Sequence, residues 1–189
     1  MTSDRFNEIV AEIIEVEGGY VNDPDDPGGE TIAGIARRYN PRWSGWAKVD
    51  RIKARNEVPV VADVERELYE HYRLMYWDPV RCSDFQDDAV ALVVFDTSVH
   101  MGTSRAATYL QQALNLLNRD GRSWPEILED GRIGPTTLSI LARCLRGRHG
   151  SKDLVLVIHT LRGMHYINRV RQRPSQEKYL RGWLRRISN

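Results

Sequence analysis

The chain has 189 residues, of which 41% are hydrophobic and 28% charged, and its formal net charge is +1. That length can bury a sizeable core in one domain or in two small lobes. No apolar run reaches the length of a signal peptide or a membrane span, which excludes stable membrane insertion and predicts synthesis in the cytoplasm without a signal peptide. Cys82 and Cys144 lie far apart without a CxxC or Cys/His spacing, which favours two buried, reduced thiols over a disulfide.

The net charge conceals a strong asymmetry along the chain. Residues 1–98 contain 11 basic and 20 acidic side chains, whereas residues 99–189 contain 16 and 6. Such asymmetry is typical of a protein whose basic half meets an anionic partner. It is equally compatible with two halves of one fold that attract each other, and the sequence leaves both explanations open.

The first half predicts two helices separated by turns and irregular chain. Apolar residues within 6–14 recur with the spacing of one buried helical face, and the glycine pair at 18–19 ends that helix. The stretch TIAGIA, residues 31–36, fits either a short strand or the start of a helix, and residues 40–60 look irregular. A second helix begins at Asp63. Its buried face comprises Val64, Leu68, Tyr72 and Met75.

The second half predicts a series of helices around one buried helix. Asp87 or Asp88 caps the most apolar stretch, AVALVVFDTSVHMG, which Gly102 ends. Further helices begin at Ser104 and at Pro135. The last two predicted helices are residues 152–171 and a closing helix that Ser175 caps. Its apolar face comprises Tyr179, Leu180, Trp183, Leu184 and Ile187, and its basic residues off that face are Arg181, Arg185 and Arg186. The fold class is therefore mainly α, with at most one small β-hairpin.

Five acidic residues surround the end of the first helix: Glu17, Asp23, Asp25, Asp26 and Glu30. A calcium loop is disfavoured, because an EF-hand needs oxygen ligands where Pro27 and Gly34 stand. Aspartates and prolines are ordinary turn formers, but turn formation does not explain a glutamate at a helix C-terminus, where the helix dipole disfavours negative charge. A carboxyl group that tends to keep its proton there suits the general acid of glycoside hydrolysis.

The motif EGGYVNDPDDPGGETIAGI, residues 17–35, resembles the signature of the glycoside hydrolase 108 family of N-acetylmuramidases, found in phage endolysins and secretion-activator proteins. The resemblance continues through FDTSVHMG, YLQQALN, DGRIGPTT and KYLRGWLRRI, and so covers nearly the whole chain. It implies a lysozyme-like, mainly helical fold that cleaves the β-1,4 bond between N-acetylmuramic acid and N-acetylglucosamine. It also implies a catalytic lysozyme-like lobe over residues 1–92 and a helical lobe over 93–189 that resembles a peptidoglycan-binding module, packed as one unit.

The resemblance implies a set of catalytic residues. The family's catalytic glutamate falls on Glu17. More distant phage-type lysozymes place an aspartate nine residues further on, which is Asp26 here, and then a threonine that opens a TIGIG-like stretch, which is Thr31. The gap between the aspartate and the threonine is one residue shorter than in those lysozymes, so Asp23 and Asp25 remain alternatives to Asp26.

Candidate substrate contacts lie nearby and on the buried helix. Tyr20 and Asn22 stand beside the glutamate, where an aromatic ring and an amide suit a sugar. Asp96 and His100 are one turn apart in a segment that resembles the cleft-lining helix of lysozymes. Trp43 and Trp46 are alternatives for stacking on sugars, although burial in the core is at least as compatible with their type.

The sequence thus predicts a peptidoglycan hydrolase with no metal and no cofactor. Its partners would be peptidoglycan glycan strands and a holin-like or export partner, with no nucleic acid and a monomeric state. It would act in the periplasm or cell wall after release. A non-catalytic wall-binding or secretion-regulating protein with the same fold, and a DNA-binding protein that uses the basic closing helix, are the alternatives.

Overall fold

The computed structural model describes residues 3–23 and 29–187, and within residues 3–4 and 15–17 the backbone only. Contacts divide the chain into two compact units, Met1–Met75 and Tyr76–Asn189. Helices dominate both, and the strands form one small antiparallel sheet in the first unit. The predicted fold class, mainly α with little β structure, is confirmed.

The first unit combines three helices with the sheet. Its helices are α1 (Ser3–Glu17), α2 (Trp46–Lys53) and α3 (Glu65–Tyr72), and its strands are β1 (Tyr20–Val21), β2 (Thr31–Ile32) and β3 (Ile35–Ala36). The strands follow the order β1-β2-β3, with Tyr20 opposite Ile32 and Thr31 opposite Ala36. The sheet also contributes to the core, since Ile32 and Ile35 are buried.

The TIAGIA segment forms the β2–β3 hairpin. Its two turn residues, Ala33 and Gly34, both have positive φ angles, of 44° and 74°. Two residues with positive φ characterise the type I′ turn, whose twist matches a tight hairpin. Glycine adopts this conformation freely, whereas Ala33 does so at a cost that its surroundings must offset.

The prediction that residues 40–60 are irregular is wrong, because α2 lies within them. Tryptophan and glycine around position 45 obscured a short helix whose buried residues are Trp46, Val49 and Ile52. Their spacing of three residues is the signal that a closer reading of periodicity detects. The indoles of Trp43 and Trp46 are buried and donate hydrogen bonds to backbone oxygens, so they belong to the core rather than to a sugar-stacking surface.

The helix predicted after Asp63 is composite. A 3₁₀ turn (Val61–Val64) leads into α3, and a π-helical turn (Arg73–Trp77) follows it. The π turn shifts the register of the buried face by one residue. Met75, predicted to be buried, is therefore 50% exposed, whereas Trp77 is 1% exposed.

The second unit buries much of α4 (Asp88–Met101), as predicted, and α4 packs against two other helices of this unit. The Asp87 side chain caps α4 by accepting a hydrogen bond from the Val90 amide at 2.9 Å, and Gly102 ends the helix. The other helices are α5 (Thr103–Leu116), α6 (Pro135–Leu145), α7 (Gly150–Gln172) and α8 (Glu177–Arg185). Cys82 and Cys144 are buried free thiols, and burial raises the pKa of Cys144 to about 11. Among the described residues, no helix has both the length and the apolar character that a membrane span requires.

The closing helix differs from its prediction at its start. Ser175 does not cap α8; it lies in a 3₁₀ turn (Pro174–Gln176) that precedes the helix. The predicted aromatic face does pack, because the Trp183 ring stacks on Tyr166 at 5.2 Å and on Tyr179 at 6.0 Å between centroids. All of α8 nevertheless keeps partial solvent exposure.

A buried carboxylate joins α2 to α3 in the first unit. Glu67 is 4% exposed and forms ion pairs with Lys48 at 2.9 Å and Arg66 at 2.7 Å. Burial by itself raises the pKa of Glu67, but the hydrogen bonds from Lys48 and Arg66 outweigh it and lower that pKa to about 2. The ionised carboxylate is thus more stable in the folded than in the unfolded chain.

We predict that this carboxylate gives the fold an acid-sensitive stability. Because the pKa of Glu67 is about 2 in the folded chain and 4.5 for an ordinary glutamate, the stabilisation is complete above pH 4.5 and is lost as the pH falls toward 2. Glu67→Gln should remove about 2 kcal/mol at pH 7, since both cations are partly exposed and screened. Urea unfolding between pH 2 and pH 7 measures the difference in the free energy of unfolding between wild type and variant.

The matched control is Glu70→Gln, which alters an exposed glutamate of the same helix. Its unfolding free energy should stay within about 0.5 kcal/mol of wild type at every pH. Parallel pH profiles for wild type and Glu67→Gln would contradict the prediction.

Candidate active site

The backbone of the predicted catalytic residue adjoins a groove in the first unit. Helix α1 ends at Glu17, and Gly18 leaves the helix with a φ of 88°, a conformation that favours glycine. The groove has a volume of about 440 Å³. Its lining comprises Ala11, Ile14, Gly18, Gly19, Val61, Glu65 and Tyr69. The glycine pair thus gives the end of α1 a surface without side chains, beside one carboxylate and one aromatic ring.

The chain after Glu17 is fastened to the tip of the hairpin. The Ala33 amide donates a hydrogen bond to the Gly19 carbonyl oxygen at 3.2 Å. The Tyr72 hydroxyl donates to the Ala33 carbonyl oxygen at 3.1 Å. These bonds hold Ala33 at its positive φ and fix the position at which α1 ends.

Glu30 is the centre of a network of polar contacts in the first unit. Its side chain is 10% exposed and pairs with Arg37 Nε and with Lys53 Nζ, each at 2.7 Å. The Tyr20 hydroxyl donates a third contact to Glu30 Oε1 at 2.7 Å. One carboxylate therefore joins β1, the residue that follows β3, and the end of α2.

The charges around Glu30 keep it ionised. Burial alone raises the pKa of Glu30, but the hydrogen bonds from Lys53 and Tyr20 and the charge of Arg37 outweigh it and lower that pKa. The pKa of Tyr20 is raised, first by burial and then by its bond to Glu30, so the phenol stays protonated and donates. Glu30 is thus a fixed anion and not a proton donor at neutral pH.

Arg37 extends this network toward α2. It donates two hydrogen bonds to the Asp50 carboxylate, at 2.6 and 3.2 Å, and its guanidinium lies over the Trp46 ring, 4.5 Å from the centroid. The planar guanidinium suits both contacts at once. The sheet and the residue that follows it are therefore connected to three residues of α2, which are Trp46, Asp50 and Lys53.

The other catalytic and substrate-binding residues predicted for the first unit lie in β2, just after β1, or outside the described residues. Thr31 lies in β2 opposite Val21, and its Oγ1 donates to the Gly29 carbonyl oxygen at 3.2 Å. Asn22 and Asp23 are exposed just after β1. Asp25 and Asp26 lie outside the described residues. The catalytic and substrate-binding roles of these residues, and of Glu17 and Tyr20, stay predictions.

The structure brings the predicted pair Asp96 and His100 together on α4 in the second unit. His100 Nε2 lies 2.9 Å from Asp96 Oδ1, and the other carboxylate oxygen accepts a hydrogen bond from the fully buried Arg162 of α7. Burial raises the pKa of Asp96, but the hydrogen bond from His100 and the charge of Arg162 outweigh it and lower that pKa. Arg186, next to α8, contacts the His100 ring. The predicted role of Asp96 and His100 in substrate binding stays a prediction.

Sequence reasoning missed Arg162 and the ion-pairing role of Glu30. For Arg162 a signal was present: it follows Ile158 by four residues, in register with the buried face of α7, and so predicts an acidic partner in the core. For Glu30 no such signal exists, because its partners Arg37 and Lys53 stand 7 and 23 residues away in segments without a clear pattern. Within the described residues no cluster of three or more His, Cys, Asp or Glu side chains could hold a metal ion.

Two family models match consecutive parts of the chain. Residues 10–102 match the model described as Glycosyl hydrolase 108, and residues 105–188 match the model described as Predicted Peptidoglycan domain. The chain belongs to the glycosyl hydrolase 108 family. A glycosyl hydrolase domain followed by a peptidoglycan domain makes this family member a peptidoglycan hydrolase, with peptidoglycan as its substrate.

Among solved structures, the chain is similar to SagA from Brucella abortus. The match has a TM-score of 0.59 and 21% sequence identity, and it covers 99% of this chain and 91% of that chain. At this identity the similarity concerns the fold alone. No curated protein sequence matches significantly.

The predicted division into residues 1–92 and 93–189 stays a prediction. The contact-based division falls after Met75, whereas the hydrolase match extends to residue 102. The difference concerns α4, which the family model includes in the hydrolase and which packs against α5 and α7 of the second unit.

We predict that Glu30→Gln destabilises the hydrolase unit. The neutral amide loses both ion pairs while it remains buried, and the free energy of unfolding should fall by about 2 kcal/mol. Chemical unfolding followed by tryptophan fluorescence measures the loss. The control is Glu57→Gln, which removes an exposed pair with Arg55 at 3.4 Å and should cost less than about 1 kcal/mol. Equal stability of the two variants would refute the central role of Glu30.

Proposed function

We propose that this family member is an N-acetylmuramidase, a lysozyme that cleaves the β-1,4 bond between N-acetylmuramic acid and N-acetylglucosamine, with Glu17 as its general acid. The observation that carries the proposal is the position of Glu17 at the end of α1, where Gly18 and Gly19 line an open groove. A substrate can approach a backbone without side chains closely, and the adjoining Tyr69 offers a ring on which a sugar can stack.

The chemistry requires a proton donor on one side of the scissile bond. The negative end of the α1 dipole lies at Glu17, and the described last turn contains no basic residue. This environment favours a neutral carboxyl group, which can protonate the leaving oxygen as the glycosidic bond breaks. The ionised Glu30 cannot perform this step, because Arg37 and Lys53 hold it as an anion.

A second group must stabilise the oxocarbenium-like sugar or activate water. We assign this role to Asp26, nine residues after Glu17, with Thr31 placing the water. Thr31 lies in β2 opposite Val21 of β1, the strand that follows Glu17 and the glycine pair, which supports its nearness to this segment of the chain. No metal or cofactor takes part in this scheme.

The enzyme would act in the periplasm or cell wall as a monomer, after release through a holin-like pore or an export partner. That route follows from the site of the substrate rather than from any contact in the structure. A non-catalytic wall-binding or secretion-regulating role is the alternative, and the following experiment separates the two.

We predict that Glu17→Gln lowers the rate of peptidoglycan hydrolysis by about 10² to 10⁴-fold and leaves the fold intact. The amide keeps the shape of the carboxyl group but cannot donate the proton. Mass spectrometry of digested peptidoglycan measures the products, and N-acetylmuramic acid at the reducing end identifies the bond cleaved.

The matched control is Glu12→Gln, which alters an exposed glutamate in an earlier turn of α1. This variant should hydrolyse peptidoglycan at the wild-type rate. Near wild-type clearance of cell walls by Glu17→Gln would end the assignment of the general acid. Purified wild-type protein that binds sacculi and releases no muropeptides would favour the non-catalytic alternative.

We further predict that Asp26→Asn lowers activity more than Asp23→Asn or Asp25→Asn, because only Asp26 has the nine-residue spacing from Glu17. Turbidity loss of purified sacculi ranks the three variants. If Asp23→Asn is the inactive variant, the spacing derived from phage-type lysozymes does not apply to this chain.

A further inference from the structure

The peptidoglycan domain has a groove of its own, between α5 and one face of α7. Its volume is about 510 Å³. Its lining comprises Tyr109, Leu161, Met164, His165, Asn168, Arg169, Gln172 and Arg173. The α7 members recur every three or four residues, so they share one face of that helix. The groove therefore extends along about three turns of α7, with Tyr109 of α5 as its opposite wall.

The groove is positively charged. Arg169 and Arg173 are in its lining, and the lining contains no acidic residue. A third arginine, Arg105, lies near enough that its charge, together with that of Arg169, adds to burial in lowering the pKa of His165. Positive charge without a carboxylate in the lining favours an anionic ligand.

One of these arginines is held in place by the protein. Arg169 Nε donates to Gln176 Oε1 at 2.6 Å, which fastens the guanidinium to the turn that follows α7. Its terminal nitrogens have no acceptor among residues 3–23 and 29–187. A guanidinium that is oriented by Nε and presents its terminal N–H groups is arranged to bind a carboxylate.

The remaining lining fits a short peptide. Asn168 and Gln172 are one turn apart and offer amide donors and acceptors, which match peptide bonds. Leu161, Met164 and the Tyr109 ring add apolar surface for small side chains. Peptidoglycan contains uncharged amide and hydroxyl groups along most of its glycan and free carboxylates on its peptide stems. The stems therefore provide the negative charge that can pair with the arginines.

We propose that the α5–α7 groove binds the carboxylate-bearing peptide stems of peptidoglycan, with Arg169 and Arg173 as the residues that contact the carboxylates. The inference rests on the proposed function in one respect, the identity of the polymer. It assigns the anchoring of the polymer to the peptidoglycan domain and leaves the bond-breaking step to the hydrolase domain.

The test compares two synthetic stem tripeptides, one with free carboxylates and one with all of them amidated, by isothermal titration calorimetry on the full chain. Wild type should bind the free peptide at least tenfold more tightly than the amidated one, since charge-assisted hydrogen bonds are lost. Arg169→Gln/Arg173→Gln should weaken binding of the free peptide at least tenfold. The charge-matched control, Arg171→Gln/Arg148→Gln, alters exposed arginines outside the lining. It should change the affinity for the free peptide less than twofold.

A further variant, Gln176→Ala, removes the contact to Arg169 and keeps both charges, so it should weaken binding less than the double arginine variant. Equal affinity of wild type for the two peptides, or an equal loss in the groove and control variants, would overturn the proposal. So would a loss in Gln176→Ala as large as that of the double variant, which would make the arginines structural. Tighter binding of duplex DNA than of the free peptide would also overturn it.

The two proposals fail separately. A wild type that hydrolyses a short soluble glycan oligomer without stems but binds the free and the amidated peptide equally would end the stem-binding proposal and would leave the muramidase proposal unaffected. A wild type that binds the free peptide and releases no reducing-end muramic acid would end the muramidase proposal and would leave the stem-binding groove standing.

Discussion

The arrangement of the hydrolase unit depends on the carboxylate of Glu30, whose side chain is 10% exposed. Its sheet consists of strands of two residues each, and pairing over such short lengths provides few ladder hydrogen bonds. The contacts of Glu30 with Tyr20, Arg37 and Lys53 add what the ladder lacks, because they connect the sheet to α2. A carboxylate with so little solvent exposure favours one arrangement of its partners, since a shift of the partners would leave the carboxylate unpaired. The hydrogen bond between the Ala33 amide and the Gly19 carbonyl oxygen connects the end of α1 to the same sheet.

The second unit also uses an ion pair with little solvent exposure, here between two helices. Helix α4 is apolar on nearly all sides. Its acidic residue Asp96 has a side chain that is only 14% exposed. Arg162 reaches it from α7 with no exposed surface of its own. Hydrophobic packing alone tolerates some sliding of one helix along another, whereas a buried ion pair does not. Asp96 therefore specifies the register of α7 on α4, and this structural role accounts for its charge whether or not it also contacts a substrate.

The sequence predicted those features that depend on neighbours along the chain. Helix α1, the Asp87 cap of α4, and the start of α6 at Pro135 follow from periodicity and capping within one or two turns, and all were found. The features that it did not predict depend on distant partners. The pairing of Arg162 with Asp96 joins residues 66 positions apart, and no rule of local preference selects one partner over another at that range. The π turn at Arg73–Trp77 is a further case, because it accompanies the burial of Trp77, and burial depends on parts of the chain beyond the turn.

The charge asymmetry of the sequence can now be divided into two parts. The acidic half neutralises several of its own carboxylates, since Glu30 and Glu67 pair with cations of the same unit. Attraction between the two halves of the sequence explains the pairing of Asp96 with Arg162. Arg186, one of the basic residues off the apolar face of the closing helix, contacts His100. The exposed arginines along the end of α7 form no ion pair within residues 3–23 and 29–187: Arg169, Arg171 and Arg173. An anionic polymer outside the protein explains their charge best, and screening by salt should weaken that attraction while it leaves the buried pair of Asp96 nearly unaffected.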